Sequence, residues 1–465
     1  MNNKKEILRV EGLKQYFKLG SGKQKSVNKA VDDISFNIFE GEVFSLVGES
    51  GCGKTTTGRA LIKLYEATGG EVYFHGTRII SDVNARKATY QALLQQLADR
   101  KASGISPDEE AKLLEQIEEA KEQLRLAKRD KKFEKIVDEE GIRAKDDIES
   151  FKEYHDLVAT YDALNKDHDE NAETYKKEIA ELTKKIKATE DKVKLSELNA
   201  ELKELDKKLK KELKELKLNG LRFKQDVKTL KHDLIYRNKL LMRSMQMIFQ
   251  DPIASLNPRM TVKEIVAEGL RINGVKNEKL IDERVKEALK LVNLLPEHAS
   301  RYPHEFSGGQ RQRIGIARAL IVNPSFIIAD EPISNLDVSI RAQIINLLND
   351  LRHTKGITIL FIAHDLSVVK YFTDRLAVMY FGHIVEMGDK EKIFNNPLHP
   401  YTLSLMNSIP LPDPLFESKR GKTVRYNPQK EHDYSVEKPT LREVEPGHFV
   451  LCNTEEFERY QKGLK

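Results

Sequence analysis

From Glu6 to Val47 apolar and polar residues alternate in short runs, ILRVEGL, AVDDISFNIF and EVFSLV. Such runs predict strands, the last one buried. A glycine-rich turn, GESGCGK, follows it, then TTTGRALIKLY, which reads as a helix, and EVYFHGTRII, which reads as a further strand pair. From residue 83 to about 240 the pattern changes to helical and highly charged. The globular pattern resumes at MQMIFQDP and runs through a helical stretch to about Leu295, then SGGQ, a helix, and the apolar strands FIIAD and GITILFIAHD. RLAVMYFGHIVEMG predicts a strand pair, and after Pro397 the chain becomes a Pro-rich tail. Four segments result: 1–82, 83–240, 241–395 and 396–465.

Within the charged segment, Ser106-Pro107-Asp108-Glu109 has the form of a helix start, with serine as cap, proline in the first turn and an acid at the third position. Leu113, Ile117, Ala120, Leu124 and Ala127 then recur at heptad spacing until Gly141 interrupts. A second run begins near Ala172 with Tyr175, Ile179, Leu182 and Ile186 and shifts phase around Val193. It continues through Leu198, Leu202, Leu205, Leu209, Leu213 and Leu216, a coiled-coil seam. Asn219-Gly220 is expected to end it in a left-handed cap, giving a helix roughly 65–70 Å long. Both ends of the segment return to one domain, so the helices are expected to fold back as an antiparallel hairpin or bundle.

Composition narrows the setting. The 465 residues carry a net charge of +5, much of it lysine mixed with glutamate, which is a poor match to a nucleic-acid surface. Cys52 and Cys452 are the two cysteines, too few for a disulfide framework and suited to a reducing cytosol. MNNKKEILRV has no apolar signal core, and no run of about 18 apolar residues occurs, so action at a membrane is expected to run through partners.

Three stretches carry chemistry. Gly48, Glu49, Ser50, Gly51, Cys52, Gly53, Lys54 and Thr55 fit G-x-x-x-x-G-K-[ST], with Thr56 continuing into the helix. The glycines let backbone N–H groups wrap phosphate oxygens, Lys54 reaches the outer phosphates, and Thr55 can hold Mg²⁺. FIIADE is a buried strand ending in Asp330, placed to bind Mg²⁺ through water, and Glu331, which could polarise an attacking water. The plain alternative is two acids capping a strand end. Ser307, Gly308, Gly309 and Gln310 open an Arg-rich helix and form a second phosphate-binding N-terminus or an ordinary N-cap. A second phosphate-binding element in one chain fits a different nucleotide, bound across a dimer.

GESGCGKT, FQDP, FSGGQRQRIGIARAL, IIADEPISNLD and IAHD, in this order, resemble the ATP-binding cassette (ABC) ATPases over about residues 5–80 and 242–395. The resemblance implies an α/β P-loop ATPase domain with an antiparallel β-subdomain and a helical subdomain, here interrupted by the helical segment and followed by a small tail domain. It implies that Gln250 contacts Mg²⁺ and the attacking water and reports to a transmembrane partner. Ser307 and Gly309 would close on the opposing ATP, Ser334, Asn335, Leu336 and Asp337 would form the D-loop between the two ATPases, and His364 would switch on the γ-phosphate. Asn335 stands where alanine is usual and Phe306 where leucine is usual. Without the family, His364 reads as a satisfied strand-end histidine. Tyr16 or Phe17 sits where an aromatic stacks on adenine, the choice between them open, with a core aromatic as the alternative.

QDPIASLNPRMTVKEIVAEGL and NPLHPYTLSLMNSIPLPDP are similar to the oligopeptide and dipeptide permease ATPases, leaning to the F-type member of the pair, and PGHFVLC matches that family's last tail segment. This implies ATP and Mg²⁺ as ligands, a second, D-type ATPase as partner, two transmembrane permeases, an extracellular peptide-binding protein acting indirectly, and a peripheral place on the cytoplasmic face of the membrane. Relatives with tail cysteines are implicated in iron–sulfur binding, but this tail has only Cys452, so no cluster is expected. The insertion is expected to leave ATP chemistry unchanged and to be either a solvated spacer or a docking arm for an unknown partner protein or for the membrane surface. A chromosome-maintenance or DNA-repair ATPase with an interrupting coil is the competing class. It is disfavoured because the insertion precedes Gln250 and the permease-type tail is present. Dipeptide or nickel cargo remains open within the same family.

Overall fold

The computed structural model describes residues 5–20, 26–103, 106–131, 152–189, 192–235, 242–334, 336–408 and 426–463. The expectations for Gly141, Asn335 and the IPLPDP stretch lie outside or almost wholly outside them.

The strands are β1 (Glu6–Leu19), β2 (Ser26–Phe39), β3 (Val43–Val47), β4 (Gly69–Phe74), β5 (Thr77–Ile80), β6 (Met245–Ile248), β7 (Phe326–Asp330), β8 (Thr358–Ala363), β9 (Arg375–Tyr380), β10 (His383–Asp389), β11 (Thr440–Glu445) and β12 (His448–Cys452). The helices used below are α1 (Lys54–Leu61), α2 (Val83–Ser103), α3 (Pro107–Lys131), α4 (Lys152–Ala188), α5 (Lys192–Ile235), α6 (Val262–Ile272), α7 (Glu278–Leu291), α8 (Gly308–Leu320), α9 (Val338–Lys355), α10 (Leu366–Phe372), α11 (Lys390–Asn395), α12 (Pro400–Met406) and α13 (Thr454–Gly463).

Two sheets form. The smaller is antiparallel in the order β2-β1-β4-β5, with Val10 paired to Phe36 on one side and Val72 on the other. The larger runs β11-β12-β10-β9-β3-β8-β7-β6. Its central strands β9, β3, β8, β7 and β6 are parallel. Every residue of β3, β7 and β8 is buried, as the unbroken apolar runs predict for strands covered on both faces. Phe36 stacks on Phe44 at 5.3 Å and Phe74 meets Phe326 edge-on at 5.9 Å, so aromatic pairs bind the small sheet to the large one.

The chain divides into two compact units: Met1–Glu134, Leu241–Val266 and Ala288–Lys465 form one, Lys135–Leu240 and Ala267–Glu287 the other. The helical insertion is therefore split. In the first unit α2 and α3 lie side by side, joined across their turn by Lys101 and Glu110 at 2.7 Å. Ser106 caps α3 by accepting the Glu109 N–H, and Leu113, Ile117, Leu124 and Ala127 are buried while Ala120 is half-buried. This pair rests on the small sheet, α3 against β5 and α2 against β4. Arg86 at the start of α2 reaches Glu71 of β4 at 2.5 Å.

In the second unit α4 and α5 pack against each other in opposite directions, His168 meeting Glu212 at 2.9 Å and Asn219 at 3.3 Å. Three expectations need correction. The run starting near Ala172 belongs to a helix that begins at Lys152, and it does not continue into the leucine run: α4 ends at Ala188, so the phase shift near Val193 marks a change of helix. Asn219-Gly220 does not end the second helix, which continues to Ile235. Leu213 is exposed; the half-buried face of α5 passes through Leu198, Leu202, Leu205, Leu209, Glu212, Leu216 and Asn219. Polar residues thus take two seam positions one heptad apart and meet His168 there, a device that fixes register.

The tail does not stand apart as a separate small domain. Strand β12 pairs with β10, Met387 opposite Phe449, and β11 pairs with β12, so the tail extends the large sheet at its edge. Val444, Val450, Cys452 and Tyr460 make its small core.

Candidate functional site

The parallel order β3-β8-β7-β6 lines up the carboxyl ends of four neighbouring strands, and each candidate segment follows one of them. Gly48 to Lys54 follow β3, His364 follows β8, Asp330 and Glu331 close β7, and Gln250 comes just after β6. Crevices at the carboxyl ends of parallel strands are where open α/β sheets bind ligands.

The phosphate loop is shaped by close backbone approach. Gly53 has φ 109°, and a Cβ there would stand 2.2 Å from the Ala30 carbonyl oxygen; a Cβ on Gly48 would stand 2.2 Å from that of Met379. Only glycine fits both places. Lys54, nearly buried, donates from Nζ to the carbonyl oxygens of Gly48 at 2.8 Å and Glu49 at 2.9 Å, so its ammonium is held within the loop. Cys52 is buried beside it, and burial pushes its thiol pKa up. Ser50 and Gly51 are exposed at the loop's tip, and Thr56 stands partly exposed in the first turn of α1.

Thr55 donates its hydroxyl to Asp330 Oδ1 at 2.7 Å. Asp330 is fully buried, and its Oδ2 has no hydrogen-bond partner among the described residues. Burial raises its carboxyl pKa above the ordinary value. A hydroxyl and a carboxylate oxygen with one buried lone acceptor form a hard-oxygen donor set that fits Mg²⁺.

Glu331 is the meeting point. Gln250 Nε2 donates to its Oε2 at 2.8 Å, and His364 Nδ1 lies 3.1 Å from the same oxygen. The backbone of Glu331 is left-handed, φ 43°, an unusual state for a non-glycine residue that costs about 1–3 kcal/mol. It persists because the Glu331 N–H donates to Ile362 O at 3.0 Å and its carbonyl accepts from the Ser334 N–H and hydroxyl. His364, directly after the end of β8, has its side chain 53% exposed and in contact with Glu331.

Ser307 caps α8 by accepting the Gln310 N–H, and Gln310 Oε1 accepts the Ser307 N–H at 3.1 Å. Ser307 and Gly308 are exposed, while Gly309 is packed against Ile340 of α9. Phe306 is buried, edge-on to His298, so the aromatic in the leucine position acts as core. Leu336 is buried and Asp337 stands at the N-terminus of α9. Tyr16 and Phe17 are both half-buried. Tyr16 donates its hydroxyl to Asp32, and Lys29 Nζ lies 5.3 Å from its ring centroid; Phe17 meets Tyr65 edge-on at 5.3 Å.

Sequence reasoning missed one residue that touches this site. Tyr401 of α12 accepts the Glu49 N–H on its hydroxyl at 3.0 Å. Nothing in the spacing of HPY says that it reaches the phosphate loop.

Comparison with known proteins gives the family. The family described as ABC transporter matches residues 31–147 and 202–334, and the family described as oligopeptide/dipeptide transporter, C-terminal region, matches residues 385–435. Tyr16, Phe17 and His364 fall outside the first match. The oligopeptide transport ATP-binding protein OppF of Bacillus subtilis is 39% identical, covering 98% of this chain and 99% of that protein. OppF of Streptococcus pyogenes serotype M1 is 56% identical over 48% of this chain and 73% of its own length, and the dipeptide transport ATP-binding protein DppF of Lactococcus lactis is 37% identical over 99% of both. A nucleotide-free ATP-binding cassette from an ABC transporter aligns over 86% of this chain and 98% of its own at 20% identity, TM-score 0.44. The chain belongs to the ATP-binding subunits of the oligopeptide and dipeptide ABC transporters, and its cassette is an ABC-type ATPase.

Proposed function

We propose that this chain powers oligopeptide import as one of two similar ATPases beneath a pair of membrane permeases, peripheral on the cytoplasmic face. Attachment runs through those permeases; among the described residues no helix is long and apolar enough to cross a membrane. Its companion is a D-type ATPase, cargo is delivered by an extracellular peptide-binding protein, and no iron–sulfur cluster takes part. The named relatives and the tail match favour transport over DNA repair.

The single observation that carries the catalytic reading is the convergence of Gln250 and His364 on one oxygen of Glu331. In this reading Glu331 takes the proton of the attacking water, Gln250 orients that water, and His364 contacts the γ-phosphate. Residues 48–56 cradle the phosphates, and Lys54 exchanges its carbonyl partners for the outer phosphate oxygens. Thr55, Asp330 and Gln250 would hold Mg²⁺, which supplies charge neutralisation at the β- and γ-oxygens. Phe17 is the adenine contact, because Tyr16 is tied through its hydroxyl to Asp32 and already carries Lys29 near its ring.

Ser307, Gly308, Gly309 and Gln310 close on the ATP of the opposing ATPase, with Ser334 to Asp337 at the dimer seam. The exposure of Ser307 and Gly308 at the start of α8 supports this. Residues 1–82 and 241–395 form the cassette, 83–240 an insertion and 396–465 the tail; the insertion's second helix pair docks a further partner.

Gentle solubilisation of membranes and identification of what co-purifies tests the reading. Two permeases and a second ATPase support it. A soluble complex with DNA or nucleases overturns it.

A further inference from the structure

Tyr401 lies outside every catalytic motif, yet its hydroxyl holds the second residue of the phosphate loop. The Glu49 N–H donates to Tyr401 Oη at 3.0 Å, while the Glu49 carbonyl accepts from Lys54 Nζ at 2.9 Å. One residue of backbone therefore separates the tyrosine hydroxyl from the lysine that faces phosphate.

Tyr401 is itself rigidly set. It is 2% exposed, with the Tyr380 ring at 4.4 Å and the Tyr426 ring at 5.5 Å. Its backbone N–H donates to Nδ1 of His399, the cap of α12. The N–H groups of Leu398 and His399 donate to Glu386, a fully buried carboxylate on β10, which also meets Nε2 of His448 at 2.7 Å. His448 begins β12, the strand by which the tail joins the sheet. A continuous chain of hydrogen bonds thus runs from the tail strand through Glu386 and His399 to Tyr401 and the loop.

We propose that Tyr401 is a positioning residue for the phosphate loop, and that through it the C-terminal tail fixes the conformation in which Lys54 and the loop amides receive ATP. The inference rests on the ATPase reading of the loop. The hydroxyl holds the N–H of the loop's second residue, whose carbonyl in turn accepts from the Cys52 N–H at 3.3 Å. Because the interaction is made by one oxygen, Tyr401→Phe removes it and keeps the ring packing. A neutral hydrogen bond of this kind, lost from the ATP-competent loop, weakens ATP binding about fivefold. The chemistry at Glu331 is untouched, so turnover at saturation changes by less than about twofold.

The test compares the wild-type full chain with Tyr401→Phe and with Tyr426→Leu, which removes a ring from the same aromatic cluster without touching the hydrogen bond to the loop. The readouts are KM for ATP, kcat and Tm in the assembled transporter, and amide exchange of the peptide covering residues 48–50 in the free chain. The inference expects higher KM and faster exchange at that peptide for Tyr401→Phe alone, with kcat and Tm near wild type. An unchanged KM in Tyr401→Phe overturns it. So does an equal shift in both variants, since the effect would then be cluster packing. Failure of the wild-type chain to bind ATP would instead remove the ATPase reading, and the inference with it.

Discussion

Gln250 Nε2 donates to Glu331 Oε2 at 2.8 Å although the two residues stand 81 positions apart, beyond the ends of adjacent parallel strands. In the proposed mechanism this contact gives the glutamine a further task, holding the carboxylate that would take a proton from the reacting water. Gln250→Ala removes that hold while leaving the phosphate loop intact. Steady-state hydrolysis is expected to fall roughly ten- to a hundredfold, with ATP affinity within about twofold of wild type, as measured by ATPase assay and equilibrium nucleotide binding.

The phosphate loop and the Asp330-Glu331 pair were legible in the sequence because each is local, a glycine-rich turn after an apolar run and two acids after another, while Gln250 and His364 were marked only by the family resemblance. Their convergence was not, since it depends on the strand order β3-β8-β7-β6, which no local pattern encodes. The insertion shows the same limit. Asn219-Gly220 has the local chemistry of a helix end, and glycine costs about 1 kcal/mol in a helix interior. Yet Asn219 reaches His168 on the partner helix, and the helix runs on through Gly220. The change of helix after Ala188 carries neither glycine nor proline, so the sequence around Thr189 offers no such signal. Tyr401 was invisible for the first reason: its partner is 352 positions away.

Asp330 gives a pH signature. Burial raises its folded pKa above the ordinary 3.8, so as pH rises from there the unfolded chain releases this proton before the folded one does. Stability from this group is full below pH 3.8 and is lost as pH rises through the raised value. Asp330→Asn abolishes that loss. The nucleotide-free variant should melt a few degrees above wild type at neutral pH, with the difference shrinking toward about pH 4, in thermal unfolding followed across pH. The same variant should bind ATP with little dependence on added Mg²⁺.

The two halves of the insertion should respond differently to deletion. Replacing residues 135–240 with a short linker removes α4 and α5, which belong to the other compact unit, and should leave ATPase activity within about twofold. Removing α2 and α3 as well strips the cover from β4 and β5 and breaks the Arg86–Glu71 pair. That variant should lose several degrees of Tm, read by calorimetry on both deletions. A larger loss of activity from the first deletion would give α4 and α5 a role in the ATPase itself.

Glu331→Gln tests the central claim most directly. The variant keeps the side chain's shape and its oxygen toward Gln250 but cannot take a proton from water. With the partner ATPase's own site disabled, single-turnover hydrolysis in the assembled transporter should fall at least about a hundredfold while ATP stays bound. Hydrolysis at the wild-type rate would contradict the assignment of Glu331 as the base.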